Sequence, residues 1–174
     1  MYFDEGSLNE LFGSFNIERS DIFNIDETSM FHHNYKTKNQ ISTLEFDYET
    51  CRLKVLTYDS AQYLYQSKRR GLLSGPEEEE RVRLSSDPFA AGMVNTDNFV
   101  NKADEWYTID IDLAFKCNWL KFKQNEHFAD ELLRTGRKFI VYPGTRGNKD
   151  WSDITAKILM IIREDLRRQA ERKD

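Results

Sequence analysis

The sequence is poor in the residue types that impose disulfide, metal or repetitive structures. It has two cysteines, Cys51 and Cys117, without CxxC spacing, and its three histidines share no zinc-ligand pattern with them. Three prolines and eight glycines in 174 residues are too few for a fibrous or low-complexity chain. We therefore expect no disulfide scaffold, no metal site and no cofactor.

The sequence also lacks long apolar runs. No run approaches the roughly 18 apolar residues of a membrane span. The first 30 residues carry seven acidic residues and one basic residue, a charge balance that does not suit a signal or transit peptide. We expect a cytoplasmic protein with no membrane partner.

Charge is distributed unevenly along the chain. The net charge is −5, yet residues 116–149 hold eight basic and three acidic residues. Such an asymmetry is typical of an anion-binding face, and also of solvated amphipathic helices. Both interpretations stay open at this point.

Periodicity predicts a helix-rich α+β domain with a small antiparallel sheet. Apolar and polar residues alternate over 42–48 and 52–58, which predicts a β-hairpin. Asp59 or Ser60 can cap a helix that continues to about residue 72. With 39% hydrophobic residues, the chain suits one globular domain, which we place at 31–174 after an appendage of short helices or irregular structure at 1–30.

Further helices are predicted from capping and turn residues. Pro76 with four following glutamates, and Asp87 before Pro88, both mark helix starts. The later segments are predicted as a helix at 88–95, a helix from Thr108, a helix from Glu126 that Gly136 closes, a strand at 139–142, a loop at 143–149 and a helix at 153–172. The last helix has a predicted buried face made of Ile154, Ile158, Ile161, Ile162 and Leu166. Its charged end, from Arg163 onward, is predicted to be solvated.

Several short motifs follow one another in a consistent order. They are His33–Tyr35 (HNY), Ser60–Lys68 (SAQYLYQSK) after the hairpin, Ser85–Gly92 (SSDPFAAG), Trp106, Leu120–Asn125 (LKFKQN) with Leu132–Gly136 (LLRTG), and Asp150–Trp151. In this order they resemble the NADAR family, the YbiA-like N-glycosidases, over roughly residues 30–165. The resemblance implies a YbiA-like fold and hydrolysis of N-glycosidic bonds in phosphorylated ribosyl or ADP-ribosyl compounds.

The chain departs from this family at three acidic positions. The family's Glu in the post-hairpin helix corresponds to Ala61 or Gln62, depending on whether Lys68 or Gln66 fixes the alignment. Its second Glu corresponds to Tyr142 and its Asp to Asn148. Cleavage through a ribosyl cation needs a carboxylate near the anomeric carbon. We therefore expect different acids to act here, or no catalysis.

The candidate site residues follow from this requirement. Asp59 and Asp150 are the candidate catalytic carboxylates, although Asp59 could equally be a helix N-cap and Asp150 a loop acid. The remaining candidates would bind a nucleotide-like substrate through hydrogen bonds, stacking or phosphate pairing; they are Asn34, Tyr35, Gln62, Lys68, Arg146, Asn148 and Trp151. Tyr35 and Trp151 could instead pack in the core.

Three functional hypotheses follow. The first is an N-glycosidase for a phosphorylated ribosyl or ADP-ribosyl substrate, which could include an ADP-ribosylated base in nucleic acid. The second is a degenerate module that binds such a ligand without turnover. The third is a protein-interaction domain that has kept only the scaffold. The sequence favours the enzyme narrowly and does not indicate an oligomeric state.

Overall fold

The computed structural model describes residues 22–24, 40–92, 100–141 and 149–172. These residues fall into two compact units. The hairpin unit comprises 40–92 and 100–125, and the C-terminal unit comprises 22–24, 126–141 and 149–172. None of the described helices combines the length and the apolar character that a membrane crossing requires.

The hairpin unit begins with the predicted β-hairpin. Strands β2 (Ile41–Asp47) and β3 (Arg52–Tyr58) pair antiparallel, with Ile41 opposite Tyr58 and Asp47 opposite Arg52. The Asp47 carboxylate accepts the N–H groups of Glu49 and Thr50 in the turn. Cys51 has a φ of 51°, in the left-handed region, and closes this turn.

Four helices complete the hairpin unit: α1 (Ala61–Ser74), α2 (Pro76–Arg83), α3 (Pro88–Gly92) and α4 (Val100–Gln124). Their order confirms the helix-rich α+β expectation. Helix α4 begins eight residues before the predicted Thr108 because Trp106 extends its apolar stripe and packs edge-on against Tyr65 at 5.4 Å. The core joins hairpin, α1 and α4 through Ile41, Tyr58, Tyr63, Leu64 and Cys117.

The C-terminal unit contains a short parallel sheet that the sequence analysis missed. Strand β1 (Ile22–Asn24) pairs with β4 (Phe139–Val141), Ile22 lying opposite Phe139. The prediction of helical or irregular structure for 1–30 is therefore wrong at 22–24. Strand β4 lies far from β1 along the chain, so no local sequence pattern predicts that the two strands pair.

Helices α5 (Glu126–Arg134) and α6 (Lys149–Glu171) form the rest of this unit. Gly136 has a φ of 63° and ends α5 as predicted. Helix α6 starts four residues before the predicted Asp153, so residues 149 and 150 are helical and not part of a loop.

Two side chains of α6 contradict the predicted faces. Ile161 is 57% exposed, whereas Leu159, which was not predicted to be buried, is inaccessible. Arg163 was assigned to a solvated surface but is only 7% exposed. Its guanidinium reaches the turn after α5 and is buried there.

Candidate functional site

The structure describes four of the nine predicted site side chains. Four of the others lie outside the described residues, namely Asn34, Tyr35, Arg146 and Asn148. For Asp150 the structure describes only the backbone, which is helical. The four that remain divide between the units, with Asp59, Gln62 and Lys68 in the hairpin unit and Trp151 in the C-terminal unit.

Asp59 does not cap helix α1. Ser60 is the N-cap, and its side chain accepts the N–H of Tyr63. The prediction left either residue open for this role, and the structure assigns it to Ser60. Asp59 is exposed at the end of β3, and its Oδ1 accepts a hydrogen bond from Gln40 at 3.3 Å. Its carboxylate is therefore not used to hold the helix.

Tyr63 and Arg83 interact electrostatically with Asp59. Burial, with the negative charges of Asp59 and Asp87, raises the pKa of Tyr63. The pKa of Arg83 is raised mainly by its hydrogen bond to Glu80, and the negative charge of Asp59 contributes to the increase. The Arg83 guanidinium also donates a hydrogen bond to the Thr57 carbonyl at 3.0 Å. We call Gln40, Asp59, Tyr63, Arg83 and Asp87 the Asp59 cluster.

The Asp59 cluster offers exposed carboxylates to a polar substrate, whereas its phenol, Tyr63, is buried in the core. Two carboxylates, a phenol and a guanidinium come from the end of β3, the first turn of α1, the end of α2 and the residue before α3. Sequence reasoning missed Gln40, Tyr63 and Arg83, because only folding brings these elements together. Asp87 was read only as a helix-start residue.

Gln62 is half-buried in the first turn of α1, and the nearby Gln66 is a deeply buried motif residue. The Gln66 Oε1 atom has no hydrogen-bond partner among the described residues. A Cβ at Gly92 would lie 2.7 Å from that oxygen, so glycine is needed for α3 to approach α1. Two of the motif positions thus serve this helix contact.

Lys68 forms an ion-pair network with two glutamates. Its Nζ lies 2.8 Å from Glu45 Oε1 and 2.6 Å from Glu79 Oε1. Tyr58 and Thr43 also donate hydrogen bonds to Glu45. The network joins β2, β3, α1 and α2, and the two carboxylates outnumber the one ammonium group. A phosphate at Lys68 would have to displace these partners, so the predicted phosphate role of Lys68 stays a prediction.

The pKa values in this network follow from burial and pairing. Burial alone would raise the pKa of Glu45, but hydrogen bonds from Lys68 and Thr43 hold it below its usual value. Burial alone would lower the pKa of Lys68, but Glu45 and Glu79 raise it well above its usual value. Burial is the main cause that raises the pKa of Tyr58 to about 12. Glu45, Lys68 and Tyr58 are therefore held in their pH 7 charge states.

A second carboxyl group of chemical interest lies on α4. Asp110 is 8% exposed on the helix that carries Trp106, and burial raises its pKa. Its Oδ1 accepts the N–H of Ile111 at 2.7 Å. Burial therefore disfavours the charged form of this carboxyl. Sequence reasoning missed it because a single acid in a helix carries no signal of burial.

Trp151 occupies the first turn of α6 and is half-buried. Part of its ring surface is therefore covered by protein, as the core-packing alternative requires, and part is open, as stacking requires. Among the described residues, no group of three histidines, cysteines or acids is arranged to hold a metal ion.

Comparison with known proteins identifies the family. The family model described as the NADAR domain matches residues 23–148, well over half of the chain. No curated protein and no solved structure was found to match. The matched range contains the hairpin, the Asp59 cluster and the Lys68 network. This chain therefore belongs to the NADAR domain family, a family of N-glycosidase-like proteins.

Proposed function

We propose that this protein hydrolyses the N-glycosidic bond of a phosphorylated ribosyl or ADP-ribosyl compound, with Asp59 as the catalytic carboxylate. The observation that carries the proposal is that Ser60 caps α1, which leaves the adjacent Asp59 exposed and hydrogen-bonded only to the neutral Gln40 among the described residues. Membership of an N-glycosidase-like family supports the reaction class.

The proposed reaction exchanges one bond at the anomeric carbon. The bond from that carbon to the base nitrogen breaks, and its electron pair leaves with the base, which takes up a proton from solvent. Asp59 stabilises the ribosyl cation and accepts a proton from the attacking water, whose oxygen forms the new bond; Asp59 then releases that proton to solvent. Arg83, whose guanidinium donates to the carbonyl of Thr57, two residues before Asp59, would bind a hydroxyl or phosphate group of the substrate in competition with its ion pair to Glu80.

The substrate classes to test are ADP-ribose, NAD, ADP-ribosylated guanosine, free and within an oligonucleotide, and phosphorylated ribosylamino-pyrimidines. Mass spectrometry should detect a released base together with the ribosyl product. Removing a general acid–base group costs about 10²–10⁴-fold in rate, so Asp59→Asn should lose at least about 100-fold. Asp112→Asn, an exposed acid on α4, is the matched control and should retain wild-type turnover.

Asp150→Asn and Asp110→Asn complete the set. If Asp150→Asn abolishes turnover and Asp59→Asn does not, the carboxylate was assigned to the wrong unit. Turnover by wild-type protein that none of the three variants reduces would contradict a carboxylate mechanism at these positions.

A ligand-binding module without turnover is the second candidate. It is favoured by the non-acidic residues at the family's acidic positions, namely Ala61 or Gln62, Tyr142 and Asn148. In that case a substrate from the same panel should raise the melting temperature and be recovered intact. Asp59→Asn should then leave the thermal shift nearly unchanged. Under both proposals we expect the protein to be located in the cytoplasm.

A further inference from the structure

A cleft in the C-terminal unit is lined by arginines that the proposed function does not use. It has a volume of about 440 Å³ and lies between the second half of α6 and the turn after α5. The lining residues are Arg137, Arg163, Glu164, Arg167 and Glu171. Four of these five residues lie beyond residue 148, where the family match ends. Most of the cleft therefore lies beyond the matched range, and Arg137 is its one lining residue within that range.

Arg163 is the key residue of the cleft because its charge is buried and forms no ion pair with any described residue. The residue is 7% exposed, and no carboxylate in the described ranges lies within ion-pair distance of it. Burial and the positive charge of Arg167 lower the pKa of its guanidinium, and the negative charge of Glu164 opposes them only in part. A buried cation without a direct ion pair is costly, so an anionic partner would be favoured here.

The hydrogen bonds that hold these arginines use only part of their donors. The Nη1 atom of Arg163 donates to Thr135 Oγ1 at 2.7 Å and to the Lys138 carbonyl at 2.9 Å. Arg167 donates to the Gly136 carbonyl at 2.8 Å and to Glu164 at 2.7 Å. A guanidinium has five N–H donors, so Nε and Nη2 of Arg163 remain without a protein acceptor in the part of the chain that the structure describes.

Charge in the cleft is positive on balance. Three arginines face two glutamates, and Glu164 is shared with Arg168, which lies outside the lining. Arg137 is exposed and forms no hydrogen bond or ion pair with any described residue. Arg163 and Arg167 are already fixed by the turn carbonyls, so little side-chain entropy remains to be lost when an anion binds.

We propose that this cleft binds a diphosphate group, either free or as part of a nucleoside diphosphate ester, through Arg137 and the remaining donors of Arg163 and Arg167. Guanidinium groups bind phosphate oxygens in bidentate pairs, and several of them suit a group with two phosphates. Small-molecule sites typically have volumes of about 300–1,000 Å³, which leaves room for the organic part of an ester. This proposal does not depend on glycosidase activity.

The test is calorimetric titration at constant ionic strength with sodium pyrophosphate, ADP, adenosine and sodium sulfate. We expect pyrophosphate or ADP to bind and adenosine not to bind. Equal affinities for pyrophosphate and ADP would identify the free anion as sufficient, and tighter binding of ADP would identify the ester. Binding of adenosine as tight as that of ADP would overturn the proposal, as would the absence of binding by both phosphate compounds at millimolar concentration.

Arg137→Gln is the decisive variant because Arg137 holds no described partner and the fold does not depend on it. It should weaken diphosphate binding about tenfold or more, the loss of one charge-assisted contact. Arg134→Gln, at an exposed arginine in the last turn of α5 that does not line the cleft, is the matched control and should change the affinity less than about twofold. Equal weakening in both variants would mean non-specific charge attraction and would overturn the proposed site. Asp59→Asn should leave pyrophosphate binding unchanged, which separates this proposal from the proposed function.

Discussion

At the scale of single residues, the assignment of Asp59 and Ser60 decides what each can do. Both residue types are good helix N-caps, and they are adjacent. The backbone of Ser60 is extended, with φ −162° and ψ 171°, and directs its hydroxyl at the N–H of Tyr63. Asp59 is left outside the helix with its carboxylate exposed, as the proposed catalytic role requires.

We expect Ser60→Ala to lower the free energy of unfolding by about 1 kcal/mol, the usual cost of losing an N-cap. Asp59→Ala should change it by less than about 0.5 kcal/mol, as for other exposed residues. Urea denaturation followed by circular dichroism measures both. A larger loss in Asp59→Ala than in Ser60→Ala would reassign the cap.

The Lys68 network predicts a pH dependence of stability. Because the pKa of Glu45 is lower in the folded protein, its contribution is fully present above its unfolded pKa of about 4.3 and is lost as the pH falls through the folded value. Lys68, with a raised pKa, contributes fully below its unfolded pKa of about 10.4 and loses that contribution at higher pH.

We therefore expect the unfolding free energy to fall between about pH 5 and pH 3, and Glu45→Gln to make that fall shallower. The remaining slope comes from other carboxylates with lowered pKa values, including Asp47 and Glu78. Denaturant titrations at each pH provide the measurement, with Glu77→Gln at an exposed glutamate as the control. Identical slopes for Glu45→Gln and wild type would contradict the assignment.

At the scale of elements, the hairpin has two faces of opposite environment. The face with Ile41, Thr43 and Tyr58 packs on the helices. The other face carries exposed apolar residues: Leu44, Phe46, Tyr48, Leu53 and Val55. Alternation placed these residues on one face, but it did not distinguish the buried face, since both contain apolar residues.

Matched substitutions on the two faces should differ strongly in effect. Ile41→Ala removes a fully buried side chain and should cost about 2–5 kcal/mol of unfolding free energy. Val55→Thr, at a position 65% exposed, should stay within about 0.5 kcal/mol. Thermal and chemical denaturation would show this. A cost above about 2 kcal/mol for Val55→Thr would mean that this face is covered in solution.

At the scale of the whole molecule, the net charge of −5 conceals a local excess of basic residues. The basic stretch identified from sequence supplies Arg137 to the arginine cleft, and α6 supplies Arg163 and Arg167. Within this stretch Arg137 lines the cleft, and Arg134 and Lys138 are exposed. The anion-binding interpretation of the charge asymmetry stays a prediction.

The net charge predicts how solubility depends on pH. With a sequence pI of about 5.3, the molecule carries almost no net charge near that pH, and self-association should be greatest there. Light scattering across pH 4.5 to 8 at low salt should show a maximum near pH 5.3. A maximum more than about one pH unit away would show that local patches, and not net charge, control association.

Sequence patterns predicted the elements whose signals are local. Alternation located β2 and β3, Ser60 and Gly136 marked helix ends, and Pro76 marked the start of α2. These features depend on neighbouring residues alone, because capping and strand periodicity are properties of short segments. The ordered motifs also identified the family that the comparison then showed.

Tertiary structure decided the features that depend on distant contacts. The pairing of β1 with β4, the burial of Arg163 against the Thr135 turn and the exposure of Ile161 depend on partners far away in the chain. The same holds for the candidate site, where Glu45 and Glu79 reach Lys68 only after folding. The sequence by itself thus determined the helices, the hairpin and the family, because these follow from local patterns. Which charged side chains form ion pairs was decided by tertiary packing.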